Sequence, residues 1–427
     1  MKILLANKYL YPRGGDCIYT LRLMDLLKQA GHEVAPFSMR HPENIKTDFD
    51  EYFVANINFH QELETFNLLG ALRVASRSVI NFQAVRRFDR LIADFKPDVI
   101  HLQNIHHQLT PAIIGPAAKR RVPVVWTQHD YTLLCPDHLL LREGLVCDRC
   151  AGGRYYYAVR HRCKKGSLAA SLLAALECSL FSPRRLARWV NRFICPSRFM
   201  AEILIRHCLP HRKVTTIANY LPATDFKSDR RDYFLYLGRL SREKGVEILL
   251  EAFSRLKGGR LLIAGDGPQR RSLEEKAAEA NLDNVEFLGH VSRSAVRELL
   301  ADCLAAVLPS TCPENAPYSA LEAMAAAKPV IAANLGGVPE LVEHQVTGLL
   351  SEPGSVGDLT DAMALVANDH HFARELGGRG REKVLVDHSS ERHYEQVIQV
   401  YEQAINNKSN GESSGDCVNR QMTTVGG

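Results

Sequence analysis

No stretch of about 18 apolar residues occurs anywhere in this sequence, which argues against a membrane-spanning helix. The first apolar run, Ile3 to Ala6, is too short for the core of a secretory leader and reads instead as a buried first strand. A cytoplasmic protein is expected. A disulfide framework is also lacking: eleven cysteines spread over 427 residues are too sparse for one, and most are expected as small buried hydrophobes. The net charge of +5 is small, but it is unevenly held. Residues 1–222 carry 31 Lys+Arg against 18 Asp+Glu, and the remainder 22 against 30, so the first half is the one expected to meet an anionic partner. The alternative is plain drift in solvated surface charge. No nucleic-acid partner is expected.

What is present is alternation. Apolar runs at 2–7, 33–37, 97–102 and 122–127 read as strands, with a helical pattern after Gly14-Gly15 that ends at Gly31. Residues 207–232 lose periodicity and gain Pro and charge, as a linker does. Alternation then resumes, with strands at 234–237, 260–264, 285–288, 305–308 and 329–333. Two such series predict an α/β protein of two Rossmann-like domains, whose ligand lies beyond the carboxyl ends of the strands, in the shared cleft. The expected division is a first domain over 1–218, a linker over 219–232, a second domain over 233–390, a helix over 391–406 returning to the first domain, and a polar tail over 407–427 without fixed structure.

The strongest local signal is residues 309–337. A strand ends near Pro309, Glu314 and Glu322 flank seven residues, and Asn315, Ala316, Pro317 and Tyr318 lead into a helix whose start is marked by the proline. That helix end offers free amides and a positive dipole to a diphosphate, and the carboxylates suit sugar and ribose hydroxyls. Taken alone, the two acids could equally be surface residues. Residues 237–245 place Gly238, Arg239 and Lys244 after another strand, where two cations can pair with a leaving diphosphate. Gly265-Asp266-Gly267 forms a tight turn at a third strand end. On the first domain, Gly14 and Gly15 permit close backbone approach to an anion. His129 follows a strand directly, where it can hydrogen-bond a donor sugar or sit as a buried cap.

These motifs, in this order, resemble glycosyltransferase family 4 over nearly the whole chain: Gly14-Gly15, His129-Asp130, Gly238-Arg239-Leu240 with Lys244-Gly245, Gly265–Pro268, Pro309-Ser310 with Glu314 and Glu322, and Gly336-Gly337-Val338-Pro339-Glu340. The resemblance implies a GT-B fold and a retaining transfer of sugar from a nucleoside-diphosphate donor. It implies that Arg239 and Lys244 neutralise the departing diphosphate, that Glu314 holds the transferred sugar and Glu322 the ribose, and that no metal is needed for catalysis. Two positions depart from the pattern. Asp16-Cys17 follows the glycine pair where a small residue and Glu are usual, and Ala327 precedes Lys-Pro where Gly is usual. Rival readings are a GT-B sugar-nucleotide epimerase, which would not be expected to carry the spaced glutamates, and a non-catalytic binding subunit, which would not need the cations intact.

Residues 101–111, 129–136 and 147–167 resemble more narrowly a bacterial subgroup that builds capsule, O-antigen or exopolysaccharide, which implies a glycan or polyprenyl-linked acceptor. Within them Cys135, Cys147, Cys150 and Cys163 contain one C-x2-C pair with two flanking thiols, a set suited to structural zinc or left as free thiols. Leu168 to Phe181 is an apolar helical stretch followed at once by Arg184, Arg185, Arg188, Trp189 and Arg192. It reads either as a peripheral contact with anionic lipid at the inner face of the plasma membrane or as a core helix with a basic turn.

Overall fold

The computed structural model describes residues 1–56, 79–223, 226 and 233–409. The first domain is built on β1 (Lys2–Ala6), β2 (Glu33–Phe37), β3 (Val99–Leu102), β4 (Val124–Thr127), a small hairpin of β5 (Leu141–Arg142) and β6 (Leu145–Val146), then β7 (Arg192–Cys195) and β8 (Val214–Thr216). The second is built on β9 (Tyr233–Leu237), β10 (Leu261–Ala264), β11 (Val285–Gly289), β12 (Cys303–Leu308), β13 (Val330–Ala333) and β14 (Gly348–Ser351). Among the described residues each domain has one six-stranded sheet, paired in parallel throughout. The strands are unbroken apolar runs because helices cover both faces: Ile3, Leu4, Leu5 and Ala6 of β1 are all fully buried, and every residue of β12 is buried.

Strand order decides where the site lies. The first sheet runs β2-β1-β3-β4-β7-β8 and the second β11-β10-β9-β12-β13-β14. Successive connections leave in opposite directions at β1/β3 and at β9/β12, and the crevice that opens at such a switch point is where ligands enter α/β sheets. The loops after β9 and β12 carry residues 238–245 and 309–317, the two strongest motifs.

The two domains are packed together. Tyr19 and Tyr220 of the first and Tyr318 and Leu321 of the second belong to one buried cluster. The chain crosses between them twice, and the crossings lie side by side. Leu221 N–H donates to His388 O at 3.0 Å, and the His388 ring nitrogen Nδ1 lies 2.7 Å from Asn219 O. The helix Ser390–Ser409 then lies against β3, β4 and the helix Gly15–Gln29 of the first domain. Its Val397, Val400, Tyr401 and Ala404 are buried, and Tyr401 Oη meets His101 Nδ1 at 2.7 Å.

Besides the small hairpin of β5 and β6, three strands of the two large sheets lie outside the segments that periodicity marks. Arg192–Cys195 and Gly348–Ser351 are only four residues each, and Val214–Thr216 falls inside the aperiodic stretch 207–232. Most of the expected linker, and the tail from 410 onward, lie outside the described residues.

Candidate active site

The second domain presents its switch-point loops as a paired unit. After β9 the chain turns at Gly238, passes Arg239, and enters a short 3-10 turn, Arg242–Lys244. Gly245 follows at φ 69°, and a Cβ there would lie 2.0 Å from Pro309 O, so only glycine lets the β9 and β12 loops meet. Gly265 is fixed in the same way: at φ 145° its Cβ would lie 1.8 Å from Gly238 O. The glycines of two motifs therefore pack backbone against backbone with each other and with Pro309 of the third.

Lys244 Nζ donates to Glu314 Oε1 at 2.5 Å, and Ser310 Oγ donates to the same oxygen at 2.7 Å. Burial works against both charges. Against it, the Lys244 cation and the Ser310 hydroxyl hold the Glu314 carboxyl below its ordinary range, and the Glu314 charge holds the Lys244 ammonium above its own. Lys244 is thus tied to Glu314 rather than standing alone beside Arg239, which is exposed. A helix of eight residues, Tyr318–Ala325, starts just past them with Pro317 at its N-cap. Asp266 is exposed and folds back on its own turn, its Oδ1 accepting from Gly267 N–H at 2.7 Å.

The first domain closes over this unit. Asn315 donates to Gln128 O at 3.2 Å and accepts from Ser197 Oγ at 2.6 Å, while Asn219 donates to Ala316 O at 2.9 Å. Glu340 accepts the backbone N–H groups of Arg198 at 2.8 Å and Phe199 at 2.7 Å, so a second-domain carboxylate caps the first-domain helix Arg198–His207. Glu322 accepts from Arg22 Nη2 at 2.8 Å. His129 lies on the first-domain wall, its Nε2 2.7 Å from Gln103 Oε1; burial keeps it below its ordinary range against the pull of Asp16 and Asp130. Asp16, one of the departures from the family pattern, thereby finds an electrostatic role beside His129.

Neither Gly14 nor Gly15 is required by the protein itself. A Cβ at Gly15 would touch Tyr318 Cδ2 at an ordinary 3.7 Å, and Gly14 has an extended φ of −163°. Several buried polar atoms also lack a hydrogen-bond partner among the described residues: Gln103 Nε2, Gln128 Nε2, and the hydroxyls of Tyr131, Tyr220 and Tyr318. Tyr131 follows the His129-Asp130 pair and is close enough to feel the Glu314 charge, which together with burial pushes its hydroxyl well above the ordinary range.

Sequence reasoning did not single out Arg22, Gln103, Tyr131 or Ser197 as site residues, and Ser310 was visible only as part of a motif. Glu340 was visible as the last residue of a motif, but its role as a cap on the other domain's helix was not.

The four cysteines of the first-domain loop come near one another, and the thiols of Cys135, Cys150 and Cys163 each feel the charge of others in the set. Burial pushes Cys135 up to about 11 and Cys150 up to about 12, although backbone N–H groups of Leu140 and Asp137 point at the first sulfur and that of Ala158 at the second. All four are free thiols. Among the described residues no three His, Cys, Asp or Glu side chains converge as metal ligands, so the sulfurs do not form a closed zinc set as they stand.

Two parallel Rossmann-like sheets, with a cation–carboxylate cluster at the switch point of the second facing the first, define a GT-B protein. The family models agree. "Glycosyltransferase Family 4" matches residues 13–222 and "Glycosyl transferases group 1" matches residues 222–383, and the chain belongs to the glycosyltransferases. An uncharacterised glycosyltransferase of Methanocaldococcus jannaschii is 23% identical over 90% of this chain and 93% of its own. The N-acetyl-alpha-D-glucosaminyl L-malate synthase of Bacillus anthracis is 28% identical over 48% of this chain and 57% of its own. Among solved structures, the sucrose-phosphate synthase of Thermosynechococcus elongatus superposes with a TM-score of 0.71 at 23% identity, covering 95% of this chain and 100% of that one. Anabaena HepE, in complex with UDP and glucose, superposes with a TM-score of 0.67 at 19% identity over 94% and 99%.

Proposed function

We propose that the chain transfers a sugar, with retention at the anomeric carbon, from a nucleoside-diphosphate donor to a hydroxyl of a glycan or polyprenyl-linked acceptor in surface-polysaccharide synthesis. The observation that carries this reading is the set of unpartnered buried polar atoms, Gln103 Nε2, Gln128 Nε2 and Tyr131 Oη, on the first-domain side of the Lys244–Glu314–Ser310 cluster. A hydroxyl-rich ligand supplies the missing partners. The glycines at 14 and 15, which the fold does not demand, leave room for a phosphate beside the helix they open. HepE has been solved with UDP-glucose, and a donor of that class suits this cleft.

In the proposed reaction the bond from the anomeric carbon to the phosphate oxygen breaks and the acceptor oxygen bonds to the same face. The acceptor proton passes to the leaving phosphate. Lys244 and Arg239 take up the charge developing on that phosphate, and Glu314 orients the sugar through its hydroxyls. Neutral His129 donates to or accepts from a sugar hydroxyl. Incubation with UDP-, GDP- and ADP-sugars, followed by NMR of the product anomer, tests this. Retention supports the reading; an inverted product, or no turnover of any donor with polyprenyl-linked acceptors, overturns it.

The helix Leu168–Leu180 supports a membrane-facing acceptor. Its inner face is Ser171, Ala174, Ala175, Glu177 and Cys178, and Glu177 is tied to the loop after β3 through His107 Nδ1 at 2.5 Å. Its large side chains face outward: Leu168, Leu172, Leu176 and Leu180 are 53, 56, 46 and 38% exposed at four-residue intervals. Arg184, Arg185, Arg188 and Trp189 are exposed immediately beyond. A leucine stripe with a cationic, tryptophan-bearing end suits an anionic bilayer surface. Among the described residues no helix is long and apolar enough to cross a membrane. Co-sedimentation with anionic vesicles, weakened by salt and abolished by changing Arg184, Arg185 and Arg188 to Glu, is the expected result. Equal recovery with and without those arginines would refute it.

For Cys135, Cys147, Cys150 and Cys163 we propose a structural zinc that draws the sulfurs together. The C-x2-C spacing and the N–H groups aimed at Cys135 and Cys150 support it; the present spread of the sulfurs does not. No catalytic step involves that metal.

A further inference from the structure

Arg22 stands midway along a first-domain helix, yet its guanidinium ends in the second domain. Nη2 donates to Glu322 Oε1 at 2.8 Å, and the guanidinium lies over the Tyr318 ring, 4.7 Å from its centroid. The Arg22 side chain is 9% exposed and that of Glu322 is 21% exposed. The arginine is the more buried partner, and it engages one carboxylate oxygen, Oε1, of a side chain that keeps some exposure. Removing a guanidinium from water for one well-formed ion pair and one ring contact is expensive. Only Nη2 engages the carboxylate, and Nε and Nη1 are buried without a hydrogen-bond partner among the described residues, so the planar guanidinium is held in orientation by its stacking on Tyr318. Arg293 also feels the Glu322 charge, but it is exposed and sits on the same domain as Glu322, so it carries no information about how the domains are placed.

We infer that Arg22 is a positioning residue for the donor's ribose: it reaches across the interface and fixes Glu322 so that its acceptor oxygens meet the diol only when the two domains are closed. The inference rests on the reading that Glu322 binds ribose. It makes donor affinity and domain closure two sides of one equilibrium. A ligand that uses Glu322 binds the closed form better and shifts the population toward it, whereas a ligand lacking the diol gains nothing from Arg22.

The test uses calorimetric binding of UDP, GDP and ADP to the full chain, the tightest of them then being paired with its 2′,3′-dideoxy analogue. The wild type should prefer the hydroxylated ligand by on the order of tenfold, the worth of a charge-assisted hydrogen bond. Glu322→Gln should reduce that preference, which checks the ribose reading by itself. Arg22→Ala and Arg22→Gln should reduce it almost to unity while leaving affinity for the dideoxy ligand within about twofold of wild type. In small-angle scattering, the same variants should lose the compaction that the hydroxylated ligand causes in the wild type. If Glu322→Gln abolishes the preference and folded Arg22→Ala and Arg22→Gln keep it, Arg22 is only an interface contact and the proposal is wrong. If Glu322→Gln keeps the preference, the ribose reading fails and the proposal falls with it. Should both neutral substitutions at Arg22 prevent folding, Arg22→Lys, which keeps the charge without the fork, must show an intermediate preference; a wild-type preference there overturns the proposal.

Discussion

Removing Lys244 should cost stability as well as activity. A lysine in an open cleft would contribute little to folding, but this one is 28% exposed and its partner Glu314 is 16% exposed. Lys244→Ala strands a largely buried carboxylate with Ser310 as its one remaining hydrogen-bond donor among the described residues. Breaking a fully buried pair costs roughly 3–5 kcal/mol, and the partial exposure of the lysine brings the expectation to about 2–3 kcal/mol. For a domain of this size that is a fall in Tm of roughly 5–10 °C. Glu314→Gln, which keeps the shape and needs no cation, should cost less, and the double substitution should cost clearly less than the sum of the two. Thermal unfolding of the four proteins measures the coupling directly. The pH dependence follows from the same pair. The depressed Glu314 carboxyl contributes stability above its unfolded pKa, lost as pH falls through the folded value. The raised Lys244 ammonium contributes stability below its unfolded pKa, lost as pH rises through the folded value. The difference between wild type and the double variant should therefore be flat over about pH 5–10 and shrink at both ends. Additivity of the two single variants within about 0.5 kcal/mol would refute the argument, since uncoupled sites add to that precision.

Three further outcomes are expected. Glu314→Gln should abolish sugar transfer, by at least ~100-fold, while nucleoside diphosphate still binds; retained transfer with lost binding would exchange the roles of Glu314 and Glu322. Ala327→Gly should raise stability by about 1 kcal/mol, because Ala327 holds a left-handed φ of 55° that costs an L-residue about that much; an unchanged unfolding midpoint would show the strain to be relieved elsewhere. Metal analysis of protein purified without chelator should find about one zinc per chain, and Cys150→Ser should lower both zinc content and thermal stability; metal-free protein of equal stability would retire the zinc.

Most of the scaffold was legible because parallel strands covered on both faces are unbroken apolar runs, and β1, β9 and β12 are of that kind. Val214–Thr216 was hidden because it is three residues long and none of them is buried. The family motifs drew attention to Lys244 and Glu314, in the loops after β9 and β12, and to Glu322, in the helix that follows the second of those loops. They could not reveal that Arg22 pairs with Glu322 across 300 residues of sequence. The helix Leu168–Leu180 left two readings open because leucine and alanine occupy nearly every side of it. In the structure its small residues and Glu177 turn inward, the arrangement on which the membrane-surface proposal rests. The strain at Ala327 was invisible for a different reason: an exchange of Gly for Ala looks minor until the backbone angle is known.

The return of the final helix to the first sheet has a consequence for biosynthesis. Roughly 170 residues separate Leu221, near the end of the first domain, from Ser390, where its covering helix begins. At ~5–20 residues per second, the ribosome needs about 10–30 s to deliver that helix after the rest of the first domain has emerged. During that interval the surface that Val397, Val400, Tyr401 and Ala404 later cover is bare, and His101 waits, its bond to Thr127 Oγ1 available but Tyr401 not yet made. The second domain can complete its own sheet before the first is sealed, although it is synthesised later. A nascent chain stalled or cleaved short of Ser390 would carry a finished donor-side domain joined to an open, sticky one, the kind of intermediate that chaperones hold and proteases clear.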